Sequence, residues 1–126
     1  MQTIYEAIGG EAKVRELVEV FYDHMERAPE AAEILALHPR NLASSREKLF
    51  LFLSGWMGGP QLYIEAYGHP RLRARHLPFP IGDAEAAAWM ACMEVALERV
   101  VTDAELAENL KRSFTGVALH MRNRAD

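Results

Sequence analysis

The sequence predicts an all-α protein on three observations. Apolar residues recur at helical spacing, no segment alternates apolar and polar residues over the length of a strand, and prolines or paired glycines separate the periodic segments. The 126 residues, half of them hydrophobic, suffice to build one core. We therefore expect residues 1–126 to form a single domain.

The first long helix is predicted by a stripe of apolar residues spaced three or four apart. Its members are Val14, Leu17, Val18, Phe21, Tyr22 and Met25. Gly9 and Gly10 separate this helix from a short turn at residues 3–8. Pro29 and the HPRNL run predict short helical pieces and a loop over residues 29–43, with His38 extended or in a turn because Pro39 follows it.

A second long helix is predicted to run to Met57, where Gly58, Gly59 and Pro60 end it. We expect Ser44 or Ser45 to cap this helix, with Glu47 in its first turn. Its apolar residues surround most of the helix: Leu49, Phe50, Leu51, Phe52, Leu53 and Trp56. This pattern favours equally a helix that contacts a large apolar ligand and a helix buried on both sides without one.

Residues 60–82 carry four of the six prolines and form the longest stretch without sustained periodicity. Loops of this length inside a compact domain are usually functional or disordered. Beyond them, Asp83 is predicted to cap a helix and Asp103 to open the last one. The stripes of these two helices are Trp89, Cys92, Met93, Ala96, Leu97 and Val100, then Leu106, Leu110, Phe114, Val117 and Met121.

Charge and cysteine content exclude several classes of function. The 14 basic and 18 acidic residues give a net charge of -4, so we expect neither nucleic acid nor a membrane as a partner. No apolar run reaches the roughly 18 residues of a membrane span, and the N-terminus lacks the pattern of a secretion signal. We therefore expect a cytoplasmic protein. Cys92 is the sole cysteine, which excludes an intrachain disulfide, and we expect it to be buried.

Motifs and histidine spacing narrow the chemistry further. No two of the five histidines stand four residues apart, and HExxH, GxSxG, the P-loop and GxGxxG are all missing. Haem remains as a candidate cofactor. It requires one axial imidazole, a flat apolar slot and polar groups at its edges. CxxCH is missing as well, so attachment would be non-covalent. Judged from the residues alone, a lone histidine in a basic loop, such as His76 in the RLRARH run, is more often a surface residue than a ligand.

Three runs of residues carry a resemblance to a known family: FYDHM on the first long helix, FLSGWMGGPQLYIEAYGHP, and RARHLPFPIG with Trp89 thirteen residues after His76. Over nearly its whole length the chain resembles the truncated haemoglobins, and among them the second group. The resemblance implies a two-over-two helical sandwich, in which two antiparallel helix pairs cross around a non-covalent haem b. It also implies that the extended loop YIEAYGHPRLRA leads into a very short helix that presents His76.

The resemblance assigns the residues on the two sides of the iron. It implies that His76 is the proximal ligand and that Tyr22 and Trp89 donate hydrogen bonds to the bound ligand; alternatively, both donors only fill the core. His38 departs from the phenylalanine or tyrosine usual in the family. His38 would donate a third hydrogen bond, ligate the iron of the empty site, or pack at the haem edge without a direct role. We expect a hydrogen bond between His38 and Tyr22 to set the tautomer of this histidine.

The resemblance also assigns the surroundings of the haem. Ser45 and Leu49 match positions that face the ligand, and the small Ser45 predicts open ligand access from solvent. The side chains expected to line the slot are Leu49, Leu53, Phe52, Leu72, Phe79, Ile81 and Met93. Lys48, Arg75 and Tyr63 are expected at the haem propionates, whereas we expect Arg73 to be a solvated surface charge.

The function implied is that of an oxygen-binding protein, a class that includes oxygen transport. Ferrous iron would bind O2, CO or NO, and two distal donors would make release slow, which suits redox or detoxification chemistry better than transport. NO dioxygenation or peroxide reduction would need an unidentified reductase. Ligand storage or sensing, sulfide binding at ferric iron, and a cofactor-free interaction module are the alternatives. We expect a monomer or a homodimer.

Overall fold

The computed structural model describes residues 2–124, and within this range the chain is helical and contains no strand. The all-α prediction is confirmed. The helices are α1 (Ile4–Ile8), α2 (Glu11–Arg27), α3 (Ala32–Leu35), α4 (Ala43–Trp56), α5 (Leu62–Tyr67), α6 (Leu72–His76), α7 (Asp83–Val100) and α8 (Ala104–His120), with a 3-10 turn at Pro29–Ala31 before α3. None of the helices in the described part of the chain has the length and apolar character that crossing a membrane requires.

Helix α2 is the centre of the packing. It packs on α4 and on α7, and α7 packs on α8, so the core lies between the pair α2–α4 and the pair α7–α8. The predicted stripe of α2 points into this core, and Val14, Leu17 and Phe21 are 0 % exposed. Full burial of one such side chain stabilises the fold by about 1.5–3 kcal/mol. Cys92 is buried in the same core, as predicted.

The short α1 closes the end of α4. The amide of Tyr5 donates to the carbonyl oxygen of Met57 at 2.8 Å, and the ring of Tyr5 covers Gly59. A Cβ atom at Gly59 would lie 2.5 Å from that ring, so only glycine allows this contact. The pair of glycines that ends α4 therefore also provides the surface on which α1 packs.

Two of the predicted helix starts are wrong. Helix α4 begins at Ala43, whose amide donates to the side chain of Asn41 at 2.9 Å, and Ser44 and Ser45 lie within the helix with Glu47 beyond its first turn. Asp83 is the first residue of α7, and the amide of the preceding Gly82 donates to the Glu85 carboxylate at 2.7 Å. At both helix starts, the side chain that accepts a backbone amide is therefore not the predicted one: Asn41 accepts from Ala43, and Glu85 accepts from Gly82. The predicted cap at Asp103 is confirmed.

Residues 60–82 form two short helices and their connections. The extended loop expected over YIEAYGHPRLRA is wrong in its first half, because Leu62–Tyr67 is helical until Gly68 ends it at a φ of 80°. Arg71 then takes a left-handed conformation with φ 45° and precedes α6. The expectation of a very short helix that ends at His76 is confirmed. Five- and six-residue helices are too short for a periodic pattern to reveal.

Candidate functional site

His76 is the last residue of α6 and is half-buried. Its Nδ1 lies 2.6 Å from the carbonyl oxygen of Leu72, one turn earlier. A carbonyl only accepts, so Nδ1 carries the proton and donates, and the lone pair of a neutral ring is left on Nε2. Histidines that ligate a metal usually hold their second nitrogen in this way. Nε2 of His76 is therefore the ring nitrogen with a free lone pair.

Asn123 holds the segment that follows His76, and nothing in the sequence indicated it. Its Nδ2 donates to the carbonyl oxygens of His76, at 3.3 Å, and of Phe79, at 2.9 Å. Its Oδ1 accepts from the amide of Ile81 at 3.0 Å, and its own amide donates to the Ile81 carbonyl at 2.8 Å. The chain beyond α8 thus fixes the loop between α6 and α7. The bonded residues are more than forty positions apart, so no local pattern could identify the contact.

Tyr22 is 6 % exposed, and its hydroxyl has no hydrogen-bond partner among residues 2–124. Within residues 2–124, every side-chain oxygen or nitrogen that is fully buried has a hydrogen-bond partner. The Tyr22 hydroxyl has none, so its oxygen must be accessible from outside the core. Burial raises the pKa of Tyr22 to about 12, although the positive charge of Arg46 lowers it. The phenol is therefore neutral at physiological pH and able to donate a hydrogen bond.

Trp89 lies on α7 and shares one aromatic neighbour with Tyr22, the ring of Phe21. The ring of Phe21 is 4.9 Å from that of Tyr22 and 5.2 Å from that of Trp89, with edge-to-face geometry in both pairs. Trp89 is half-buried, and the centre of its ring lies 6.0 Å from that of Phe114. The two predicted donors, on α2 and α7, thus both pack against the ring of Phe21.

His38 lies at the corner between α3 and α4. Its ring is perpendicular to that of Tyr22 at 5.8 Å, but the hydrogen bond predicted between them is wrong. The Nδ1 atom of His38 instead lies 2.8 Å from the carbonyl oxygen of Ile34. The same carbonyl oxygen accepts from the amide of Leu37 at 3.1 Å, so the imidazole is a second donor to it. The ring of His38 also borders a cavity of about 390 Å³ with Leu35, Leu42 and Arg40.

The polar residues expected at the haem edge lie close together. Arg75 donates to the hydroxyl of Tyr63 at 2.9 Å. The Tyr63 ring lies 5.1 Å from that of Tyr67, and the ammonium of Lys48 is 5.7 Å from the Tyr67 ring. Arg73 is exposed, as expected, and its guanidinium donates to the Arg122 carbonyl at 3.4 Å.

The apolar residues expected to line the slot differ in exposure. Phe79 is 40 % exposed, and the half-buried members are Leu49, Phe52, Leu72 and Ile81. Leu53 and Met93 lie inside the core at 1 % and 0 % exposure. A cavity of about 110 Å³ is bordered by Phe52 and Tyr63. Neither His76 nor Tyr22 borders this cavity or the one beside His38.

The residues present fit a haem group. The imidazole of His76 binds the backbone of its own helix through Nδ1, which leaves Nε2 free. Next to it, Phe79 and Leu77 expose 40 % and 51 % of their surface, the kind of apolar area that a bound ring system would cover. Arg75 and Lys48 supply the positive charge that suits carboxylates at the edge of such a group.

Comparisons with known proteins agree with this description. The family model of the bacterial-like globins matches residues 3–123. Group 2 truncated hemoglobin YjbI of Bacillus subtilis (strain 168) is 41% identical over 122 residues, which cover 97% of this chain and 89% of that protein. The solved structure of the cold-adapted truncated hemoglobin from the Antarctic marine bacterium Pseudoalteromonas haloplanktis TAC125 is 42% identical and superposes with a TM-score of 0.96, covering 98% of this chain and 99% of that one.

A second solved structure, the group II 2-on-2 hemoglobin from the plant pathogen Agrobacterium tumefaciens, is 43% identical. It superposes with a TM-score of 0.95 and covers 98% of this chain and 95% of that one. The helix pairs α2–α4 and α7–α8 thus form the two-over-two sandwich that the sequence predicted. The chain belongs to the bacterial-like globin family, as a group II truncated haemoglobin.

Proposed function

We propose that this globin binds haem b without a covalent bond, through Nε2 of His76, and takes up O2, CO or NO on the side of Tyr22 and Trp89. Membership of the globin family implies haem binding. The observation that carries the proposal is the 2.6 Å contact between Nδ1 of His76 and the Leu72 carbonyl, which leaves Nε2 as the free nitrogen. Haem, when bound, supplies iron with an open position for a diatomic ligand.

The proximal residues orient the imidazole and bind the edge of the haem. The hydrogen bond from Nδ1 to a carbonyl makes the His76 ring a stronger electron donor and prevents its rotation. Asn123 holds the backbone on the C-terminal side of His76. Arg75, braced by the Tyr63 hydroxyl, and Lys48 attract the carboxylates of the haem.

The distal residues determine how long a ligand stays. Tyr22 and Trp89 donate hydrogen bonds to a ligand that gains negative charge, and each such bond is worth about 1.5–3 kcal/mol. About 1.4 kcal/mol corresponds to a factor of ten in an equilibrium constant. Two donors therefore make O2 release slow. We assign the protein to redox or detoxification chemistry rather than oxygen transport, with NO dioxygenation or peroxide reduction as the reaction and a separate reductase as the electron source.

The proposal is tested in two steps. Adding hemin to the purified protein and recording ferric, ferrous and CO spectra is expected to give the spectra of a histidine-ligated haem at one equivalent of hemin. A preparation that stays colourless would refute haem binding. Mixing the O2-loaded protein with NO is then expected to yield nitrate and ferric protein in equal amounts. Recovery of unchanged NO and O2 would refute NO dioxygenation as the reaction.

A further inference from the structure

Arg46 on α4 binds three carboxylates of α2 at once. Its Nη1 lies 3.1 Å from the carboxylate of Glu19, and its Nη2 lies 3.0 Å from that of Asp23 and 2.7 Å from that of Glu26. Nη1 also donates to the Glu19 carbonyl oxygen at 3.3 Å. The Arg46 side chain is 18% exposed, whereas the three carboxylates are close to half exposed. Only a guanidinium has enough donors, in a fixed plane, for this set of partners.

The three carboxylates flank Tyr22 in the sequence of α2, and the guanidinium lies over its ring. On α2, Glu19 lies one turn before Tyr22, Asp23 directly after it and Glu26 one turn later. The Cζ atom of Arg46 lies 5.7 Å from the centre of the Tyr22 ring, within the range of a cation–π contact. The guanidinium thus lies over the ring of Tyr22 while its N–H groups bind three carboxylates of α2.

We propose that Arg46 is a positioning residue for the distal donor. By clamping α4 onto α2 over the ring of Tyr22, it fixes the direction in which the Tyr22 hydroxyl donates its hydrogen bond. The inference rests on the proposed function, since the hydroxyl must have a ligand to bind. Without Arg46, three carboxylates spaced three and four residues apart on one helix face would repel each other, and the ring of Tyr22 would lose its cover.

The chain contains a matched control for an ordinary ion pair between the same helices. Arg15 on α2 and Glu47 on α4 lie 3.1 Å apart, with side chains 43% and 52% exposed. Arg15 lies over the ring of Phe50, 3.8 Å from its centre. The variant Glu47→Gln therefore removes an ion pair between α2 and α4 at a position away from Tyr22.

Stopped-flow release of O2 and CO from the haem-loaded protein is the first test. We expect Arg46→Gln to release O2 about tenfold faster, which corresponds to a loss of about 1.4 kcal/mol of stabilisation of the bound ligand. CO, which gains little charge and depends less on a donor, is expected to leave at the rate seen in the unmodified protein, and the C–O stretching frequency is expected to shift. We expect Arg46→Lys, which keeps the charge without the fork, to release O2 at an intermediate rate, and Glu47→Gln to match the unmodified protein.

A double-mutant cycle shows whether the effect acts through Tyr22. In the Tyr22→Phe background, we expect Arg46→Gln to leave O2 release almost unchanged. Equal acceleration in both backgrounds would overturn the inference. So would a variant that unfolds at a lower temperature but releases O2 at the normal rate, because that result describes a purely stabilising ion pair.

A spectrum that does not depend on ligand release separates this inference from the proposed function. NMR of the purified full-length chain with labelled tyrosine shows the Tyr22 signal, assigned by its loss in Tyr22→Phe. We expect this signal to shift and broaden in Arg46→Gln but to stay unchanged in Glu47→Gln. An unchanged signal in Arg46→Gln would overturn the positioning role, whereas failure to bind hemin would overturn the proposed function and leave this readout valid.

Discussion

The imidazole of His76 is held by the carbonyl oxygen of Leu72, one turn earlier, at 2.6 Å from Nδ1. Because this contact is internal to α6, a helix of five residues is enough to fix both the tautomer and the direction of the ring. The segment after the histidine is held separately, by Asn123. A longer helix is therefore not needed to hold the His76 ring.

Asn123→Ala is expected to loosen the loop between α6 and α7. The substitution removes hydrogen bonds to His76, Phe79 and Ile81 that are half-buried or exposed, and each such bond contributes about 0.5–1.5 kcal/mol. We expect a lower free energy of unfolding and faster transfer of haem to a competing apoglobin. Asn109→Ala is the control, since Asn109 only accepts a bond from the exposed Arg112. Equal haem loss in the two variants would contradict the role of Asn123.

Tyr22→Phe and Trp89→Phe are each expected to speed O2 release about tenfold or more, because each removes one donor to a ligand that gains negative charge. Stopped-flow measurement of O2 displacement gives the rates. Tyr5→Phe, which removes a hydroxyl from α1, is expected to release O2 like the unmodified protein. Unchanged rates in the two distal variants would remove both residues from the site.

His38→Phe is expected to change O2 release by less than about twofold, because a neutral imidazole whose Nδ1–H binds the Ile34 carbonyl presents an acceptor at Nε2. A tenfold acceleration would instead identify His38 as a third donor. The ferric spectrum of the same variant tests ligation of the iron by His38. A six-coordinate low-spin spectrum that His38→Phe abolishes would establish it, and a five-coordinate spectrum in the unmodified protein would exclude it.

The stability of the fold is expected to fall at alkaline pH because of Tyr22. Burial raises the pKa of this phenol from 10.0 to about 12. The folded state therefore holds the proton more tightly than the unfolded state, so the stabilisation is complete below pH 10 and is lost as the pH rises towards 12. The full effect is about 3 kcal/mol for a shift of this size. Denaturant titrations should show a smaller alkaline loss in Tyr22→Phe, and an equal loss would contradict the assignment.

The sequence predicted the long helices because their stripes are long enough to define a period, as the buried residues of α2 show. It missed α5, whose six residues are too few for a pattern. The resemblance assigned roles to Tyr22, Trp89 and His76, but it did not indicate which groups hold them. The partners of His38 and His76 are backbone carbonyls, which carry no residue identity.

The sequence could not predict contacts between distant parts of the chain, for a related reason. Arg46 meets Glu19, Asp23 and Glu26 only because α4 packs on α2, and Asn123 reaches Ile81 only because α8 ends beside α6. Each of these residues belongs to a type that is common on surfaces. Their positions become informative only once the helices are packed.

The most direct test of the central claim is the absorption spectrum of His76→Gly during a hemin titration, with and without free imidazole. We predict that this variant binds hemin weakly and lacks the histidine-ligated spectrum of the unmodified protein. Added imidazole should restore the spectrum by replacing the missing side chain. If His76→Gly bound hemin as tightly as the unmodified protein, with the same spectrum and no response to imidazole, then His76 would not be the residue that holds the haem.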